Sequence, residues 1–161
     1  MTPLGTVGIV ATKGFAAGCI RLGTRSHYNH VVIADGHGGL FEAQPGGVRV
    51  VAEDSYAGTV WLTRLDLSNV QRIDAAAWLH SEVGVPYNWP SIVVFALRTI
   101  VPWLPHGWLD RWADKRRNQI CSELAVNALR YAQFDPFPGR RAATVSPADW
   151  LNLALAKEWT A

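Results

Sequence analysis

The sequence predicts an α+β protein in which an antiparallel β-sheet comes first and helices follow. The first 65 residues contain short β-branched runs separated by glycine-rich turns, whereas the later part carries apolar residues at helical spacing. Strands followed by helices are typical of α+β proteins rather than of a doubly wound parallel sheet. A chain of 161 residues with 49% hydrophobic residues can bury one core, so we assign residues 1–161 to a single domain.

Five β-rich runs predict the strands of this sheet. They cover residues 6–11, 29–34, 40–44, 48–51 and 59–65. The second and third runs flank the turn Asp35-Gly36-His37-Gly38-Gly39, whose glycines tolerate positive φ. These two runs therefore predict a β-hairpin.

Three later segments predict helices. Residues 69–83 carry apolar residues at helical spacing and are closed by Gly84 and Pro86. Residues 121–132 have their apolar positions on one side, as an amphipathic helix does. Ser146 followed by Pro147 predicts an N-cap and first turn of a helix that runs through residue 155. Residues 89–112, rich in tryptophan and broken by prolines, predict a short helix and an irregular connection.

The charge, the cysteines and the hydropathy exclude several classes of protein. A net charge of +2 is too small to indicate a nucleic-acid partner. Cys19 and Cys121 make neither a disulfide framework nor a metal-ligand spacing, and we expect no metal and no cofactor. No basic residue precedes the apolar start of the chain, so we expect no signal peptide. Residues 92–104 are well short of the roughly 20 apolar residues of a membrane span, so no transmembrane segment is predicted.

His30 and Glu42 lie on the two arms of the predicted hairpin, both at even positions. A three-residue loop at 35–37 would pair residue 34 with 38 and residue 30 with 42. The two side chains would then be neighbours on one face, with Cβ atoms about 5 Å apart. A carboxylate at that distance fixes the tautomer and orientation of an imidazole, as a general base requires.

Cys121 is the first residue of a predicted helix. The helix N-terminus stabilises a thiolate, and the backbone N–H of Cys121 would point toward a developing oxyanion. Taken singly, such a cysteine is usually a small buried hydrophobe, His30 a core histidine and Glu42 a solvated carboxylate. Their combination favours a nucleophile, a base and an orienting acid, whereas Cys19 has no such neighbour and is expected in the core.

The order of these motifs resembles the circularly permuted papain-like members of the NlpC-type peptidoglycan-peptidase superfamily. These include the YiiX- and YycO-like hydrolases, with lecithin-retinol acyltransferase-like enzymes as distant relatives. The matching segments are Arg25-Ser26-His27-Tyr28-Asn29-His30-Val31, Phe41-Glu42-Ala43 with Pro45-Gly46-Gly47-Val48, Pro86-Tyr87-Asn88-Trp89, Cys121-Ser122-Glu123-Leu124 and Ser146-Pro147-Ala148-Asp149. The histidine strand precedes the cysteine helix, which is the permuted order. Gly5-Thr6-Val7-Gly8 stands where relatives often carry Gly-Asp.

The resemblance implies a thiol hydrolase with Cys121 as nucleophile, His30 as base and Glu42 orienting it. The implied substrate is an amide or peptide bond, with peptidoglycan stem peptides as the leading case. Without a signal peptide, such an enzyme would work in the cytoplasm or be delivered by a phage. Tyr28 and Tyr87 are candidates for a second oxyanion donor or for lining the pocket, and the alternative for each is an aromatic ring packed at the edge of the core.

Three alternatives stay open at this point. The apolar stretch around residues 92–104 could meet an acyl chain or a membrane surface, as in a lipid acyl hydrolase or acyltransferase, or it could simply cover the sheet. The domain could be a catalytically silent binding or assembly module. The thiol could also be a redox sensor, although no resolving cysteine lies nearby in the sequence.

Overall fold

The computed structural model describes residues 1–13, 17–18, 21, 26–86 and 120–160. In these residues a five-stranded antiparallel sheet precedes three α-helices, which confirms the predicted α+β class. The strands are β1 (Val7–Val10), β2 (His30–Ala34), β3 (Gly39–Gln44), β4 (Gly47–Ala52) and β5 (Val60–Trp61). Their order across the sheet is β4-β3-β2-β1-β5. The Trp-rich residues 89–112, Cys19 and Tyr87 lie outside the described residues.

Two of the three described α-helices begin with a side-chain cap, and the third does not. Helix α1 (Asn69–Glu82) starts with a capping box between Ser68 and Gln71. Helix α3 (Pro147–Ala156) starts with the predicted N-cap, Ser146, and proline in its first turn. Helix α2 (Cys121–Tyr131) follows Ile120, which makes no side-chain cap hydrogen bond. Two short 3-10 turns, Glu53–Ser55 and Ala142–Thr144, complete the described elements.

The end of α1 is tied to the edge of the sheet. Gly84 adopts a φ of 90°, the left-handed conformation that ends a helix, as its position predicted. Its N–H then donates to the carbonyl of Val48 at 2.8 Å, and the N–H of Val48 donates to the carbonyl of Val85 at 2.9 Å. The segment after α1 therefore covers part of the outer edge of β4.

The last predicted strand is much shorter than its sequence pattern. Only Val60–Trp61 forms β5, whereas alternation predicted a strand over residues 59–65. The backbone turns instead, with the N–H of Leu65 donating to the carbonyl of Leu62 at 3.3 Å. Both leucines are buried, so the apolar spacing reflects a turn packed into the core rather than a continuous strand.

The two faces of the sheet carry separate apolar clusters, because side chains alternate along each strand. One face packs against the helices and forms the main core, which includes Val31, Ile33 and Phe41 together with Leu124 and Ala125 of α2. The opposite face forms a second, smaller cluster of buried residues. Its members are Val10, Val32, Ala34 and Leu40, with Val51, Tyr56 and Trp61 packed against it.

The β2–β3 hairpin has a register different from the one predicted. Ile33 pairs with Phe41 and Ala34 with Leu40, so the loop spans residues 35–39 and not 35–37. Asp35 holds this wider loop, because its carboxylate accepts hydrogen bonds from the N–H groups of His37 (2.7 Å) and Gly39 (2.8 Å). The error is two residues, an even number, so His30 and Glu42 keep the same face and become diagonal neighbours.

Candidate active site

His30 and Glu42 form a buried contact across the hairpin. His30 is the first residue of β2 and is 4% exposed, and Glu42 on β3 is fully buried. Nε2 of His30 lies 2.9 Å from Oε2 of Glu42. Continuing the observed register would place Gln44 directly opposite His30, and its Nε2 lies 3.4 Å from the imidazole Nε2. The imidazole therefore reaches diagonally to Glu42 and carries its proton on Nε2 to donate to the carboxylate.

The Glu42 carboxylate accepts hydrogen bonds from three further side chains. Arg49, its cross-strand partner on β4, donates from Nε to Oε1 at 2.8 Å. Gln44 donates from Nε2 to Oε2 at 3.1 Å, and the hydroxyl of Tyr56 donates to the same oxygen. Both carboxylate oxygens are thus held by donors, which fixes the orientation of the group.

These donors keep Glu42 ionised although it is buried. Burial alone would raise the pKa of Glu42, but the hydrogen bonds from His30, Tyr56 and Arg49 outweigh it and lower the pKa to about 2. A carboxylate that stays charged at every physiological pH can stabilise a positive charge on the imidazole.

Cys121 meets the same imidazole from the helix layer. It is the first residue of α2, carries a free thiol and is 4% exposed. Burial alone would raise the pKa of the thiol, but the His30 side chain and the backbone N–H groups of Val31 and Ser122 outweigh it and lower the pKa. Because Nε2 of His30 contacts Glu42, Nδ1 is the ring nitrogen that is left for the sulfur.

The charge state of His30 follows from its two partners. Burial alone would lower the pKa of His30, but the Cys121 sulfur and then the Glu42 carboxylate outweigh it and raise the pKa to about 9. With the thiol pKa lowered and the imidazole pKa raised, the favoured state is a thiolate beside an imidazolium. Such a pair holds a nucleophile and a proton donor in contact.

The start of α2 is anchored by the C-terminal part of the chain. The hydroxyl of Ser122 donates to the carbonyl of Val145 at 2.6 Å, and the indole N–H of Trp150 lies 3.4 Å from the carbonyl of Ser122. Ser122 and Trp150 are fully buried. Val145, which precedes the N-cap of α3, and Trp150 of α3 therefore hold the residue next to Cys121.

Asn29, the residue directly before His30, is held in place by hydrogen bonds to Thr12. Its Oδ1 accepts from the N–H of Thr12 at 2.9 Å, and its Nδ2 donates to the hydroxyl of Thr12 at 2.6 Å. Its own N–H donates to the carbonyl of Val10 at 3.2 Å. This buried amide ties the segment after β1 to the start of β2 and so limits the positions open to His30.

The two tyrosine candidates have different outcomes. The ring of Tyr28 packs against the main core, and its role as an oxyanion donor or pocket residue stays a prediction. Tyr87 lies outside the described residues.

Three residues of the site were not predicted from the sequence: Gln44, Arg49 and Tyr56. A signal existed for Arg49, because a two-residue turn at Pro45-Gly46 that pairs Gln44 with Gly47 also pairs Glu42 with Arg49. Gln44 follows Glu42 by two residues on the same strand, so it shares its face. Tyr56 lies in the irregular segment after Glu53–Ser55, where no periodicity indicates a direction for its side chain.

Comparison with known protein families finds no family model that matches the chain, and no curated protein matches it either. Among the described helices, none has the length and apolar character needed to cross a membrane. In the same residues, no group of three or more His, Cys, Asp or Glu side chains is placed to hold a metal ion.

Proposed function

We propose that this protein is a cysteine hydrolase that cleaves an amide or peptide bond through a thioester at Cys121. In this proposal His30 transfers the protons and Glu42 orients and charges the imidazole. The observation that supports it is the buried relay in which Glu42 holds Nε2 of His30 at 2.9 Å while the sulfur of Cys121 interacts with the same ring. A nucleophile, a base and an orienting group in this order are the components of acyl transfer.

The proposed reaction begins from the thiolate–imidazolium pair. The Cys121 thiolate attacks the carbonyl carbon, and a C–S bond forms while negative charge develops on the oxygen. The backbone N–H of Cys121, at the start of α2 where helical N–H groups lack intrahelical acceptors, is the proposed oxyanion donor. The imidazolium then protonates the leaving nitrogen, and the C–N bond breaks to leave a thioester.

The second half of the reaction returns the enzyme to its first state. The neutral imidazole of His30 takes a proton from water, and the resulting hydroxide attacks the thioester carbon. The C–S bond breaks, the carboxylic acid leaves, and the sulfur departs as the thiolate beside the imidazolium. Glu42 stays ionised throughout and stabilises the positive charge each time it forms on His30.

The substrate class in this proposal comes from the resemblance to permuted papain-like enzymes of the NlpC-type superfamily. The described elements are compatible with that family, because the histidine strand β2 precedes the cysteine helix α2. Peptidoglycan stem peptides are therefore the leading substrates in this proposal. The apolar stretch that suggested a lipid substrate lies outside the described residues, so lipid hydrolysis is tested as an alternative outcome.

The test is turnover of a muropeptide panel and a phospholipid panel by three proteins: wild type, Cys121→Ala and Cys19→Ala. We expect muropeptide cleavage by wild type and by Cys19→Ala, and none by Cys121→Ala. Phospholipid cleavage that depends on Cys121 would replace the peptide substrate by a lipid. Equal turnover in wild type and Cys121→Ala would contradict the role of Cys121 as nucleophile. No turnover in either protein would contradict the proposed hydrolase and favour a binding or assembly module.

A further inference from the structure

Tyr56 lies against both the base and the acid of the proposed relay. Its hydroxyl donates to Oε2 of Glu42, the same oxygen that faces Nε2 of His30. Its ring centroid lies 5.8 Å from that of His30. The ring also packs against the second apolar cluster, on the side of the sheet away from the helices. Tyr56 thus reaches the relay from a segment that contributes no other group to it.

We infer that Tyr56 is a positioning residue for the proposed hydrolase, which holds Oε2 of Glu42 in line with the imidazole of His30. This inference rests on the proposed function and adds a residue to its machinery. The hydroxyl of Tyr56 hydrogen-bonds to Glu42 and Gln44, so it acts on the imidazole through Glu42.

Glu42 needs more than one partner to fix the direction of its carboxylate. The terminal torsion of a glutamate is broad, so a single partner would not define where each oxygen points. Arg49 holds Oε1 at 2.8 Å, and the Tyr56 hydroxyl holds Oε2 from another direction. With both oxygens held, the lone pairs of Oε2 stay directed at the imidazole N–H.

Gln44 fixes the hydroxyl of Tyr56 in turn. Its Nε2 lies 2.6 Å from the tyrosine oxygen and 3.1 Å from Oε2 of Glu42. The phenol oxygen therefore accepts from Gln44, and its own proton is directed to Glu42. If the hydroxyl is removed, the Gln44 amide has only Oε2 among these acceptors, and it competes there with His30.

The groups around Glu42 determine how its ionisation would change if the Tyr56 hydroxyl were removed. The groups that face the carboxylate are His30 from β2, Gln44 from β3, Arg49 from β4 and Tyr56, with Cys121 beyond the imidazole. Burial first, and then the Glu42 carboxylate, raise the pKa of Tyr56, so the phenol keeps its proton and remains a donor. Arg49 and His30 remain after the change, so Glu42 would still be ionised at neutral pH.

The experiment compares wild type, Tyr56→Phe and the matched control Tyr131→Phe, which alters an exposed tyrosine at the end of α2. Phenylalanine retains the ring that packs against the second cluster and removes only the hydroxyl. The ¹³C resonance of the Glu42 carboxyl, assigned by its loss in Glu42→Gln, is followed against pH. We expect its midpoint to rise by about one pH unit in Tyr56→Phe, and not in Tyr131→Phe.

Turnover supplies the second measurement. On a substrate that wild type cleaves, we expect Tyr56→Phe to lower kcat about tenfold while KM stays near the wild-type value, the loss expected when a hydrogen bond to a charged group is removed from a positioning residue. An unmoved Glu42 midpoint, or an unchanged kcat, would overturn the inference about Tyr56. Absence of turnover in wild type would instead refute the proposed function, while the carboxyl titration would still show whether Tyr56 controls Glu42.

Discussion

The Glu42 carboxylate should make the stability of the protein depend on acid pH. Its pKa is lowered from 4.5 to about 2 in the folded protein, by hydrogen bonds from His30, Tyr56 and Arg49 that outweigh the effect of burial. Since each pKa unit corresponds to about 1.4 kcal/mol, the shift contributes about 3 kcal/mol to the free energy of unfolding. The sign follows from the depressed pKa: this contribution is fully present above pH 4.5 and is lost as the pH falls toward 2.

The assay is chemical denaturation of wild type and Glu42→Gln, followed by tryptophan fluorescence from above pH 4.5 down to about pH 2. Glu158→Gln, which alters an exposed glutamate, is the control. The free energy of unfolding of Glu42→Gln should lie below that of wild type above pH 4.5, and this difference should shrink by about 3 kcal/mol as the pH is lowered. A difference that does not change with pH would refute the reasoning, because it would mean that Glu42 titrates normally in the folded protein.

Three further predictions concern the groups around the relay. Because the pKa of His30 is raised from 6.5 to about 9, its contribution to stability should be present below pH 6.5 and lost as the pH rises through 9. The free energies of unfolding of wild type and His30→Gln, measured by denaturation, should therefore converge between pH 6.5 and 9. A difference that stays constant over this range would contradict the prediction. Ser122→Ala should lower the free energy of unfolding by about 1–3 kcal/mol, since the buried carbonyl of Val145 loses its donor, and an unchanged denaturation midpoint would count against the anchor. Asn29→Leu should destabilise by a similar ~1–3 kcal/mol and broaden the ¹⁵N signals of the His30 ring, whereas sharp, unshifted ring signals would show that the Thr12 contacts do not position it.

Much of the fold could be predicted because local patterns agree with the tertiary structure. The β-branched runs up to residue 52 correspond to β1 to β4 within one or two residues, since glycines turn the chain before β1, between β2 and β3, and between β3 and β4. The Ser146-Pro147 start of α3 was predictable because an N-cap and a first-turn proline act within a single turn of helix.

The site was partly predictable for a similar reason. His30 and Glu42 were assigned to one face from their parity and an assumed three-residue loop, and the shared face survives a register error of two residues. The exact pairing could not be predicted, because the Asp35 side chain widens the loop through hydrogen bonds that spacing does not reveal. Tyr56 was missed because its direction depends on an irregular segment between β4 and β5.

The proposed catalytic roles of Cys121, His30 and Glu42 depend most directly on the charge state of Cys121. The measurement is the rate of Cys121 alkylation by iodoacetamide as a function of pH, in wild type and in His30→Ala, with Cys19 as an internal reference read by peptide mass. The midpoint of the pH profile is the readout, because burial of the thiol slows labelling at every pH. We predict a midpoint well below the ordinary thiol pKa of 9 in wild type, and one at or above that value in His30→Ala. Identical midpoints in the two proteins would contradict the thiolate–imidazolium pair on which the proposed hydrolase rests.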